Sequence, residues 1–133
     1  MKKILFLSLI FFAFYGCEKS IQVDNSVSLI GKWNWKSASG GIDGKIYTPE
    51  NTGDTIVFEF TNDSIYKMSN DGFIVLQCPF HTAKSVNSVN EERANILTFD
   101  TIPGICFYFI KNDTLIINYD VTEVPRWVFT RIK

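Results

Sequence analysis

From Leu29 to the C-terminus the chain alternates apolar and polar residues with a period of two and almost never 3.6, the pattern of half-buried strands. Leu29, Gly31, Trp33 and Trp35 fall on one face of the first such run, and Lys32, Asn34 and Lys36 on the other. Later runs cover residues 44 to 48, 55 to 61, 64 to 69, 73 to 78, 96 to 100, 105 to 111, 114 to 121 and 127 to 132. Asn62-Asp63, Asn70-Asp71-Gly72, Pro103-Gly104 and Asn112-Asp113 separate them as turns. Pro79 lacks an N–H for a ladder and closes the fifth run, so residues 83 to 94, the most polar stretch, read as a long loop. The expected fold is all-β: an antiparallel meander of eight or nine strands. Such a sheet hides its edges and its aromatic face by closing into a small barrel; a two-sheet β-sandwich is the alternative.

The N-terminus is of another kind. Lys2 and Lys3 precede an apolar run from Ile4 to Tyr15 broken only by Ser8, the charged and apolar regions of a secretory signal. About a dozen apolar residues fall short of the roughly 20 that a membrane-spanning helix requires, so residues 1 to 16 read as a removed signal peptide. Phe14-Tyr15-Gly16-Cys17 resembles the lipobox of bacterial lipoproteins, with aromatic residues where Leu and a small residue are usual. That resemblance implies lipid on Cys17 and a protein anchored by it to the bacterial outer membrane. Aromatic-rich signals of this type resemble those of Bacteroidetes lipoproteins. Residues 17 to 27 then form a polar tether, and residues 28 to 133 the domain. Its Glu18-Lys19 pair only faintly resembles an acidic surface-export tag, which leaves open the side of the membrane it faces.

Removing residues 1 to 16 leaves 117 of 133 residues, enough for one domain, with eleven basic against fourteen acidic side chains and no basic cluster. Nucleic acid is therefore not an expected partner. The full chain has twelve Phe, five Tyr and three Trp, most of them beyond residue 16, which points to a substantial core.

Leu29-Ile30-Gly31-Lys32-Trp33 resembles the Gly-x-Trp opening strand of the calycin superfamily, the lipocalins, fatty-acid-binding proteins and avidins. Trp127, Phe129 and Arg131 resemble the closing strand of the small lipocalin-like domains found behind Bacteroidetes lipoprotein signals. The resemblance spans the β domain in layout and only its two ends in motif. It implies that Arg131 lies across Trp33 and plugs one end of the barrel by a cation–π contact. Asp120 to Pro125 is too short for the helix of vertebrate lipocalins, and Trp35-Lys36-Ser37 departs from the biotin loop of avidins, so no biotin site carries over. A lipocalin-like domain implies a small hydrophobic or amphipathic ligand, with Trp35, Phe58, Phe60, Phe107, Phe109 and Trp127 as candidate lining residues. A barrel filled by those same rings, acting as a non-catalytic interaction module or inhibitor through its loops, is the competing reading.

No catalytic set emerges. His81 is the single histidine, and three residues from Cys78 on an extended strand it points to the opposite face. No His, Cys, Asp or Glu pair has metal-ligand spacing, and no cofactor is implied. The acid pairs Glu91-Glu92 and Asp120/Glu123 read as solvated loop charges. With Cys17 lipidated, Cys78 and Cys106 remain as two thiols in an oxidising compartment; they pair if their Cα atoms lie within about 7 Å, and otherwise stay as two buried thiols.

Overall fold

Tight turns with left-handed residues set the meander: Ser64 (φ 63°), Asp71 (φ 51°) with Gly72 (φ 83°), and Asn112 (φ 55°) each reverse the chain between neighbouring strands. The computed structural model describes residues 28–40, 43–86, 93–120 and 126–133. Among them run β1 (Gly31–Ser39), β2 (Ile46–Tyr47), β3 (Ile56–Phe60), β4 (Ile65–Asn70), β5 (Phe73–Val86), β6 (Arg93–Phe99), β7 (Cys106–Lys111), β8 (Thr114–Tyr119) and β9 (Arg126–Arg131). One short helical turn, α1 (Pro49–Thr52), starts at Thr48 with Asn51 bonded back to the Thr48 N–H.

All pairings are antiparallel, and β1 pairs with β9, so β1 and β3 to β9 form a closed eight-stranded barrel rather than a sandwich. The two-residue β2 covers the far end of β1, opposite Ala38 and Ser39. In the β1–β9 ladder Trp33 stands opposite Arg131 and Trp35 opposite Phe129. The register then slips by one residue between Trp35 and Ser37, and that bulge returns Ala38 to the inner face beside Trp127.

The interior rows are Trp33, Trp35 and Ala38 on β1, Ile56, Phe58 and Phe60 on β3, Tyr66 on β4, Cys78 and Phe80 on β5, Leu97 and Phe99 on β6, Cys106 on β7, Leu115 and Ile117 on β8 and Phe129 on β9. They form one continuous core.

Two features correct the sequence reading of this region. β5 does not stop before Pro79 but runs to Val86, pairing His81 with Thr98 and Val86 with Arg93. Residues 83–86 and 93–94 are thus ladder residues, not loop, and the remainder of the expected 83–94 loop lies outside the described residues. Pro79 is tolerated because a strand residue's N and C=O point the same way. Its carbonyl accepts from the Asp100 N–H, one residue past the end of β6, so its missing donor falls where the neighbouring strand has already left the sheet.

Candidate functional site

One end of the barrel is plugged by residues from both chain ends. Trp33 is fully buried and donates its indole N–H to the Leu29 carbonyl at 2.8 Å. The Arg131 guanidinium lies 4.1 Å from the centre of the Trp33 ring. Its two terminal nitrogens donate to the carbonyls of Ile30 and Ser28, so a cation–π contact is combined with charge-assisted hydrogen bonds. Gly31 makes room for this: its φ is +130°, and a Cβ there would stand 2.9 Å from a guanidinium nitrogen.

Above the plug the barrel is solid. Phe58 packs on Phe129 with ring centres 4.3 Å apart and meets Tyr66 edge-on at 5.1 Å. Phe60 meets Phe80 edge-on at 5.1 Å, and Tyr66 leans on Phe99 at 4.6 Å. Trp33, Phe60, Tyr66, Leu97, Leu115 and Phe129 expose almost nothing, which places close-packed side chains through this half of the interior.

The opposite end differs. Its inner-face residues Met68, Leu76, Tyr119 and Trp127 are only partly buried. Beyond them Phe73, 76% exposed, is opposite Asn70 at the tip of the β4–β5 hairpin, and Tyr47 is opposite Ala38; directly opposed residues share a face, so both extend the inner rows past the rim. Ile46, Ile74, Val75 and Ile105 are further exposed apolar residues around that end. Trp127, less buried than Trp35, packs against it with ring centres 5.8 Å apart and stacks at 6.1 Å on Phe58. Trp35 is 2% exposed, and its indole nitrogen is a buried donor with no hydrogen-bond partner.

Of the candidate lining residues, Trp35, Phe58 and Trp127 come together below this rim, while Phe60, opposite Gly31, sits at the plugged end. The inward placement of Phe107 and Phe109 is corrected: Cys106, Tyr108 and Ile110 pack on the core, and Phe109 on the alternate face is 46% exposed. In Cys106-Phe107-Tyr108-Phe109-Ile110 both alternating sets are apolar, so the pattern favours neither face. Tyr47, Phe73 and Tyr119 were missed; the exposed Phe directly after the Asp71-Gly72 turn was the one visible signal.

Cys78 and Cys106 are both buried and unpaired, so the bridge considered from cysteine arithmetic is not formed. Cys106 is in register with Leu97, which is in register with Thr82. Cys78 is therefore two strands over and four residues along, a separation of roughly 15 Å at ordinary strand spacings and rise. Each thiol instead faces a phenol across the ladder, Cys78 opposite Tyr66 and Cys106 opposite Tyr119. Burial pushes Cys106 up to about 11, against an opposing hydrogen bond with Tyr119, and burial beside Cys106 pushes Tyr119 up to about 12. His81 and Cys78 lie on opposite faces; His81 is exposed and meets the Asp100 carboxylate at 2.9 Å. Among the described residues no three His, Cys, Asp or Glu side chains gather as a metal site. Cys17 lies outside the described residues.

Plug, solid lower half and apolar rim together define a small closed antiparallel barrel with one open-faced end. No family model, curated protein or solved structure matches the chain.

Proposed function

We propose that this chain is a lipocalin-like binding domain, exported and anchored through lipid on Cys17, that takes a small hydrophobic or amphipathic ligand at the end of the barrel opposite Trp33 and Arg131. The observation that carries this reading is the asymmetry of burial along one interior. The rows at the plugged end are sealed, while the same rows at the other end finish in partly buried Met68, Leu76, Tyr119 and Trp127 under an exposed aromatic rim. Exposed apolar groups contiguous with a core are costly in water and are common features of binding sites. The Gly31, Trp33 and Arg131 arrangement supports the lipocalin-like part of the reading, and Gly16-Cys17 supports the anchor.

Because Phe58, Phe129, Tyr66 and Phe60 fill the interior below, the ligand is short or ring-shaped, not a long chain threaded to the plug. Titration with unbranched alcohols of increasing length, followed by tryptophan emission, tests this. Each added CH₂ is expected to tighten binding by about fourfold, from about 0.8 kcal/mol per buried methylene, until the mouth is full, after which affinity levels off. Trp127→Ala should weaken the whole series. If no length gives a saturable change, the ring-filled core favours the second reading, a protein-interaction module presenting the rim to a partner.

A further inference from the structure

The indole N–H of Trp35 is a hydrogen-bond donor shut inside an apolar core with nothing to accept from it, whereas Trp33 one turn of the alternation earlier is satisfied by Leu29. A buried unpaired donor is destabilising by an amount comparable to a lost hydrogen bond, and native structures keep few of them. Trp35 is also placed for use: Trp127, partly buried and two residues nearer the rim on β9 than the register partner of Trp35, packs against it with ring centres 5.8 Å apart.

What accepts from it is constrained by charge. Among the described residues the core contains no buried charged side chain, its polar side-chain atoms besides the tryptophan indoles being the Tyr66 phenol and the Cys78 and Cys106 thiols. The one cation on the inner rows, Arg131, is at the opposite end, engaged by Trp33 and two carbonyls. Around the open end stand Asp43, Glu50, Asp54, Asp71, Asp100 and Asp120, against Lys36, Lys45 and Arg126, with Lys45 paired to Asp43. A carboxylate entering there would meet net negative charge and be desolvated with no counter-ion. An uncharged acceptor meets neither obstacle.

We infer that the open end selects an uncharged apolar molecule bearing a hydrogen-bond acceptor such as a ketone, ester or amide carbonyl, held by the Trp35 indole N–H beneath Trp127. This rests on the ligand-binding reading above. The test uses the purified full-length protein and three naphthalene probes of similar size: 2-acetylnaphthalene, 2-ethylnaphthalene and 2-naphthoate. The ketone should bind about tenfold more tightly than the ethyl compound, the range a net hydrogen bond supplies, and the carboxylate more weakly than either. Saturation with the ketone should shift one of the three tryptophan indole N–H signals in a ¹⁵N spectrum, the one absent from Trp35→Phe. In that variant the preference for ketone over ethyl should vanish even if both bind less well. A ketone-to-ethyl ratio near one, a ratio preserved in Trp35→Phe, an indole signal that does not move, or a carboxylate that binds best would each overturn the inference while leaving the binding site standing. Failure of all three probes to bind would overturn both.

Discussion

Gly31 shows how one missing Cβ can organise an end of a barrel. Its positive φ is available to glycine at little cost, and the space over it is taken by Arg131. Gly31→Ala should therefore destabilise the protein by about 2 kcal/mol or more in urea unfolding, combining backbone strain with displacement of the guanidinium. In an Arg131→Ala background the same substitution should cost less, because only the strain remains, and a purely additive cycle would count against the contact. The buried thiol and phenol make a second residue-scale prediction. Cys106 and Tyr119 have folded-state values raised from 9.0 and 10.0 to about 11 and about 12. Above pH 9 the unfolded chain gives up these protons first, so folding stability should be complete below pH 9 and fall steadily as pH rises toward 11 to 12. Denaturation midpoints at pH 8, 9.5 and 10.5 measure the slope, and Tyr119→Phe should make it shallower without abolishing it, since burial also raises Tyr66 and Tyr108.

At the scale of elements, legibility followed the contrast between the two faces of each strand. β1 and β3 carry polar or smaller groups on one side, and their inward rows were readable. β7 carries apolar residues on both, and Phe107 and Phe109 were assigned to the wrong face. The length of β5 was hidden by Pro79, whose cost depends on what stands beside it rather than on its own identity. Hydrogen exchange tests that extension: amides between His81 and Lys84 that bond to β6 should be protected by at least tens-fold over an open loop, and uniform fast exchange there would contradict the ladder. The mouth was poorly legible for a related reason, since Tyr47 reaches the inner row through β2, a strand of only two residues, and Phe73 through the tip of the β4–β5 hairpin, where a register shift between Met68 and Ser69 breaks the simple alternation.

For the whole molecule, the anchor and the barrel are separable claims. Growth with labelled palmitate should mark the wild-type protein, and Cys17→Ser should abolish the label; continued labelling of that variant would remove the anchor. The sequence by itself determined the all-β character and the turns, because alternation and turn chemistry are local properties of the chain; the meeting of Trp33 and Arg131 at one end was implied only by the resemblance to the calycins. Tertiary structure alone decided that the sheet closes β1 on β9, that Cys78 and Cys106 stand too far apart to pair, and that Trp35 is left with an unanswered donor. Those outcomes depend on the stagger of eight strands around a closed ring, a sum of registers and bulges that no single segment encodes.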